Sequence, residues 1–330
     1  MIPKTIPQTA PVYVGLDVAK ATLQVHLQGR QFPFSNDPAG HTRLCQQLKG
    51  VAAHVICEAT GGYEAAVVRA CHAAHIRVSV LNPAHVRHAA KAQGKRAKTD
   101  ALDAALLTDY GQRFHPVATP PVSAVQHQLT ELTLWLSQTV QAQALAKNQT
   151  EHQTNPFVNA QHQLRLDHYA AQIKAVEVEI KALLRQDPVL TQRVECLDRI
   201  VGVGPRTAWL VLAHLPELGQ MNRQQTAALA GLAPWPEDSG AFTGQRHIRG
   251  GRHEVRRALY MPALSTIRSC PVLKPFYQRL VEQHKPAKVA LTAVMRKLLV
   301  HMNSELKKLA AQPPPAVTGK PKKIKKTVAK

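Results

Sequence analysis

Four carboxylates, Asp17, Glu58, Asp100 and Asp103, have the residue type and spacing for metal-assisted chemistry on a phosphodiester. Asp17 closes the alternating run Tyr13-Val14-Gly15-Leu16-Asp17, and Glu58 ends the apolar run from Val51 to Cys57. Asp100 and Asp103 stand at i,i+3 where a helical pattern starts, a spacing that puts both on one helix face. Two-metal phosphoryl transfer needs several carboxylates around ions roughly 3.5–4 Å apart. One of them bridges both ions, and a strand residue such as Asp17 suits that place. The same residues also have plainer uses. Asp100 can serve as a helix cap after Thr99, and Asp17 and Glu58 can be ordinary strand-end acids.

A second candidate is Ser239, which precedes Gly240 in a glycine-rich stretch from Gly231 to Gly251. From Arg246 to Arg257 the chain places five arginines, two histidines and one acid. A serine in such a loop can approach a phosphate closely while Arg246, Arg249, Arg252, Arg256 and Arg257 neutralise its oxygens. No general base is visible nearby, and on residue chemistry alone Ser239 reads as a turn residue or helix cap. Two further segments suit a phosphate backbone. Lys95, Arg96 and Lys98 lie in a basic loop, Lys91–Lys98, just before Asp100. The turn Gly202-Val203-Gly204, followed by Pro205 and Arg206, has the pattern of a helix-hairpin-helix whose backbone N–H groups seat a phosphate. That turn can equally contact protein.

The elements that must hold these groups follow from periodicity. Residues 12–17 and 22–27 alternate as a hairpin, with 32–34 as a third strand. Asn36-Asp37-Pro38 supplies a cap and first-turn proline for a helix to about Leu48. Strands over 51–57 and 76–81 alternate with helices over 63–74 and 84–92, and a helix runs from Asp100 to about Gln112. This pattern predicts an α/β domain, a mixed sheet with flanking helices, over residues 1–118. Pro116, Pro120 and Pro121 mark its end. Residues 119–194 read as a helical coiled-coil arm, in which Ile173, Val176, Ile180 and Leu183 keep an a/d rhythm. That arm packs within its own chain or joins two copies. Residues 195–311 read as a mainly α C-terminal domain, and 312–330 as a disordered basic tail. Trp135, Trp209 and Trp235 read as core or interface residues.

Composition narrows the partners. Lys+Arg outnumber Asp+Glu by 42 to 21 in 330 residues, a net charge of +21. That balance calls for a polyanion, nucleic acid before an anionic membrane surface. No apolar run is long enough to span a bilayer, and the N-terminus has no signal-peptide core. The five cysteines (45, 57, 71, 196 and 270) are isolated, which fits reduced thiols in a cytoplasmic protein and no zinc site. Aromatic residues make up 5%, too few for an aromatic RNA-binding sheet.

Three blocks carry a resemblance: Gly15-Leu16-Asp17-Val18-Ala19-Lys20, Glu58-Ala59-Thr60-Gly61-Gly62-Tyr63 and Lys98-Thr99-Asp100-Ala101-Leu102-Asp103-Ala104. In order and separation they resemble the N-terminal domain of DEDD transposases, insertion-sequence recombinases with a RuvC-like, RNase H-type fold. The stretch from Gly231 through Ser239 to Tyr260 is similar to the C-terminal domain of the same family. The resemblance covers about residues 12–305. It implies that Asp17, Glu58, Asp100 and Asp103 bind Mg²⁺ in a two-metal site. It also implies that Ser239 attacks DNA and forms a transient phosphoserine link, which conserves the phosphodiester energy. In this family the two halves of the site come together across subunits, so a homo-oligomer, dimer or tetramer, is expected. A non-coding, bridge-type RNA from the element pairs with donor and target DNA, which makes guide RNA an expected partner beside DNA. The alternative is a structure-selective RuvC-like Holliday-junction nuclease that uses metal-activated water and has no need of Ser239.

Overall fold

The alternating run around Asp17 forms β1 (Val12–Val18), the middle strand of a five-stranded sheet. Antiparallel to it lies β2 (Thr22–Leu27), which pairs outward with β3 (Arg30–Ser35). Asp37 caps α1 (Pro38–Gln47) by accepting from the Gly40 N–H at 2.7 Å, with Pro38 in the first turn. The chain then crosses to β4 (Ala53–Glu58), parallel to β1 on its other side. Next come α2 (Ala65–Ala73), β5 (Arg77–Leu81), α3 (Pro83–Ala92) and α4 (Asp100–Phe114). The sheet order is β3-β2-β1-β4-β5, mixed as expected. The computed structural model describes residues 11–94, 100–236, 238–239, 244 and 246–312, without the side chains of Asp100 and Ala101.

Both faces of this sheet are covered. Val14, Leu16 and Val18 share one core with Leu44 of α1 and Val67 and Cys71 of α2. Tyr13 and Ile56 face the other way, against Val86 of α3 and Leu107 of α4. Alternation along a strand therefore fixes which side each polar residue faces. Residues Met1–Val122 form one compact unit and Ser123–Lys330 a second.

The second unit is mostly helical. It opens with α5 (Ala124–Thr150) and α6 (Pro156–Leu184), joined by a short turn that Asn155 caps. It continues with α7 (Pro188–Asp198), α8 (Pro205–His214) and α9 (Arg223–Leu229). A small ribbon follows, β6 (Pro234–Trp235) paired antiparallel with β7 (His247–Ile248). The unit ends with α10 (His253–Ala258), α11 (Tyr260–Ser269), α12 (Leu273–Glu282) and α13 (Ala287–Ala310). The a/d residues Ile173, Val176, Ile180 and Leu183 are buried in one core with Leu129 and Leu136 of α5 and Leu298 of α13. Their rhythm is used within the chain, and the helical stretch shares its core with the helices that follow. Trp209 lies in that core, whereas Trp135 and Trp235 are exposed, so of the three tryptophans only Trp209 is a core residue.

Candidate carboxylate and serine sites

Asp17 follows Gly15 and Tyr13 on the face of β1 covered by α4, and Glu58 follows Ile56 on the same face of β4. Each directly succeeds a member of the Leu16↔Cys57 pair, so the two acids stand level on neighbouring strands at their carboxyl ends. Both are half-buried. Neighbouring strands lie about 4.7–4.9 Å apart, and two carboxylates at that separation favour a cation or proton between them.

The helix carrying the other pair is seated by one glycine. A Cβ on Gly15 would lie 1.9 Å from the Ala104 carbonyl oxygen and 2.7 Å from the Thr108 hydroxyl. No side chain fits there, and α4 rests directly on the strand. The Thr108 hydroxyl accepts from the Gly15 N–H at 2.8 Å and lies 2.9 Å from His26 Nδ1. Thr108 thus pins α4 to β1 and β2, and Asp103, half-buried, precedes the residue that meets Gly15. Asp100 opens α4, and its side chain lies outside the described residues. Lys95, Arg96 and Lys98 also lie outside them, while Lys91, read from sequence as loop, belongs to α3.

Two residues that sequence reading missed shape the edge where Asp17 and Glu58 emerge. One Glu64 carboxylate oxygen accepts from the Thr60 N–H at 3.0 Å, the Thr60 hydroxyl at 3.2 Å and the Gly62 N–H at 3.0 Å. It fixes the turn after Glu58. The Asn36 amide donates to the Ala19 carbonyl at 2.9 Å and the Tyr63 carbonyl at 3.3 Å, tying the turn after Asp17 to the turn after Glu58. His41 Nε2 lies 2.8 Å from Asn36 Oδ1 and holds that amide in place. Burial pushes the His41 pKa down, against the pull of Asp37, so the ring is neutral at its post. Among the described residues, no three His, Cys, Asp or Glu side chains gather as a ready-made metal cage.

In the second unit Ser239 is exposed, between the two strands of the small ribbon in sequence. The Asp238 carboxylate accepts from the Gly244 N–H at 3.1 Å across that connection. Arg246 and Arg249, just before and just past the returning strand, are exposed. Arg252, Arg256 and Arg257 make contacts within the unit. Arg252 forms a two-pronged pair with Glu217 at 2.6 and 2.7 Å, Arg256 reaches backbone carbonyls, and Arg257 pairs with Glu254 and Ser137. In the turn between α7 and α8, a Cβ on Gly202 would meet the Thr266 hydroxyl at 2.3 Å, so that side of the turn contacts protein. Arg206 pairs with Glu177. Gly204 has open space around it, directly before α8.

Comparison with known proteins joins the two regions. Residues 14–155 match the DEDD-type IS110 transposase family, and residues 194–278 match the transposase family described as IS116/IS110/IS902. The two matches together span more than half of the chain. The chain belongs to the IS110 family of transposases. As an IS110-family member it is a recombinase of the transposase class, an enzyme. Among its relatives, pilin gene-inverting proteins of Moraxella lacunata and Moraxella bovis are 29% identical over 300 residues, covering 87% of this chain and 93% of theirs. The insertion element IS110 43.6 kDa protein of Streptomyces coelicolor is 30% identical over 127 residues, 38% of this chain and 30% of that one. Among the described residues of this IS110-family chain, no helix is long and apolar enough to cross a membrane.

Proposed function

We propose that this transposase cuts and rejoins DNA strands of its own mobile element, using the carboxylates Asp17, Glu58, Asp100 and Asp103 and the nucleophile Ser239. The observation that carries the reading is the seating of α4 on Gly15, which brings the helix of Asp103 over the sheet face of Asp17 and Glu58. The sheet order supports an RNase H-type, RuvC-like reading of this unit. The donor set is all carboxylate oxygen, which suits a hard divalent cation such as Mg²⁺. Three described carboxylates do not form a cage alone, and Asp100 is the fourth donor. When bound, Mg²⁺ would neutralise charge on a phosphate held there.

Ser239 stands exposed, accessible to a phosphodiester. Its Oγ forms a new bond to phosphorus as one phosphorus–deoxyribose oxygen bond breaks, and the departing hydroxyl ends with the serine proton. The phosphoserine ester keeps the bond energy, so a second deoxyribose hydroxyl can reverse the step on another strand without ATP. The name of the gene-inverting relatives supports a role in DNA rearrangement. We infer further that an element-encoded guide RNA pairs with the DNA and that the protein acts as a dimer or tetramer. The net charge of +21 is large enough to serve RNA as well as DNA.

A covalent-trapping assay tests this. The protein is incubated with Mg²⁺, DNA from the element's ends and RNA from the element, then separated on a denaturing gel beside Ser239→Ala. The expected result is a protein–DNA adduct that vanishes in the variant and weakens when RNA or Mg²⁺ is omitted. Metal-dependent cleavage without an adduct, unchanged in Ser239→Ala, would establish the junction-nuclease alternative instead.

A further inference from the structure

Arg252 and Arg256 sit in a basic run whose obvious use is phosphate binding, yet their guanidinium groups face inward. The ribbon that carries Ser239 has two residues in each strand, Pro234↔Ile248 and Trp235↔His247, and both strands are exposed. A two-stranded ribbon without its own core is marginal in water. Something below it must hold its legs at a fixed spacing, and the structure has three contacts that do so.

The first is a backbone crossing. A Cβ on Gly231, in the leg before β6, would stand 2.1 Å from the Gly250 carbonyl oxygen, in the leg after β7. A Cβ on Gly251 would stand 2.1 Å from the Gly231 nitrogen. The legs touch main chain to main chain, where only glycine fits. The second contact is Arg256, whose Nη1 donates to the Gly250 carbonyl at 2.9 Å and the Gly231 carbonyl at 3.4 Å, one on each leg. The third is Arg252. Its N–H donates to the Leu229 carbonyl at 2.7 Å, and its guanidinium donates twice to Glu217 and once, at 3.0 Å, to the His214 carbonyl. Burial pushes the Glu217 carboxyl pKa up, but the Arg252 hydrogen bond, a hydrogen bond from its own backbone N–H and the Arg252 charge together outweigh it and leave the group below its ordinary value. Glu217 is therefore ionised at neutral pH, and an Arg252 turned toward DNA would leave that charge unpaired.

We propose that Arg252, Arg256 and Glu217 are positioning residues that clamp the legs of the Ser239 ribbon, and that Arg252 and Arg256 are not phosphate ligands. This rests on the reading of Ser239 as the nucleophile. A clamp of this kind matters because a displacement of about 1 Å can cost on the order of 100-fold in rate.

The test uses the full chain as wild type, Glu217→Gln, Arg256→Gln, and the double exchange Glu217→Arg with Arg252→Glu. Three quantities are read: the rate of adduct formation, the dependence of DNA affinity on salt, and amide hydrogen exchange at Trp235, His247 and Ile248. Exchange in α13 reports whether the unit itself stays folded. We expect each single variant to form adduct about tenfold or more slowly and to exchange faster in the ribbon, with α13 and the salt slope unchanged. The double exchange recovers most of the lost rate. A salt slope shallower by about one in Arg256→Gln, with the ribbon still protected, would overturn the clamp and make that arginine a phosphate ligand. Unchanged ribbon exchange in Glu217→Gln would also overturn it. If wild type forms no adduct, the nucleophile reading fails, while the exchange arm still decides the clamp.

Discussion

The carboxylates and the serine are held in different ways. Asp17 and Glu58 end two neighbouring central strands, each buried on both faces, and the helix of Asp103 is seated on bare backbone at Gly15. Their spacing is set by sheet geometry and apolar packing. Ser239 is carried by an exposed ribbon whose legs are held by glycine crossings, an arginine on two carbonyls and an ion pair. On the function proposed above, the acids have to keep mutual distances that a sheet can fix, whereas Ser239 has to meet a bulky polymer. That meeting needs exposure, and exposure removes the apolar packing that would otherwise hold the serine. Polar staples are what remains.

The sharpest way to break that contrast is Gly15→Ala. The added Cβ meets backbone, the Ala104 carbonyl, so no side-chain rotation relieves it. Overpacking of this sort costs about 3 kcal/mol. We expect α4 to lift, the protection of its amides to fall, and recombination to be lost, while the exchange of α8 and α13 stays as in wild type. An active Gly15→Ala protein with α4 still protected would mean that the seating of α4 does not set the carboxylate geometry.

The sheet was legible in the sequence because alternation, caps and prolines are local signals. The Asp37-Pro38 and Asn155-Pro156 starts are read off neighbouring residues. What was not legible depends on partners far along the chain. Gly15 needs Thr108, 93 residues away, before its lack of a side chain has meaning. The five-arginine run read as a uniform phosphate surface because Glu217, 35 residues from Arg252, and Gly231, 25 from Arg256, give no local sign of their use. The a/d rhythm of α6 was visible, but its partner α5 was not, since the same spacing serves a neighbour in the chain or a second copy.

Acid should separate the two regions further. His41 and His54 are both buried in the first unit, and burial is the first cause that lowers each below the ordinary value of 6.5. His54 stacks on Tyr13, lies 2.8 Å from the Ser79 hydroxyl and has Arg77 opposing its protonation. A histidine depressed in the fold is protonated first in the unfolded chain. Its stabilisation is therefore complete above 6.5 and is lost as pH falls below that value. His214, a single such histidine among the described residues of the second unit, is lowered too, by burial first, with Glu254 pulling it toward the charged form and Arg252 and Arg257 pushing it away. Pulse proteolysis in urea at a series of pH values should show the first unit losing stability more steeply on mild acidification. The double variant His41→Gln, His54→Gln should flatten that slope. Equal slopes in the two units would remove the buried histidines as the cause.

The smallest expected effect concerns the ribbon's own arginines. Arg246 is exposed just before β7, in the same connection of the ribbon as Ser239, whereas Arg252 is committed to Glu217. A phosphate contact releases roughly one counterion, so its loss lowers the slope of log affinity against log salt by about 1. Arg246→Ala should show that change with its fold intact and with similar loss on every DNA sequence, because a backbone contact carries no base information. Arg252→Ala should leave the slope where it was and disturb the ribbon instead. If both variants lower the slope alike, the inward pair with Glu217 opens when DNA binds, and the distinction between staples and ligands in this ribbon disappears.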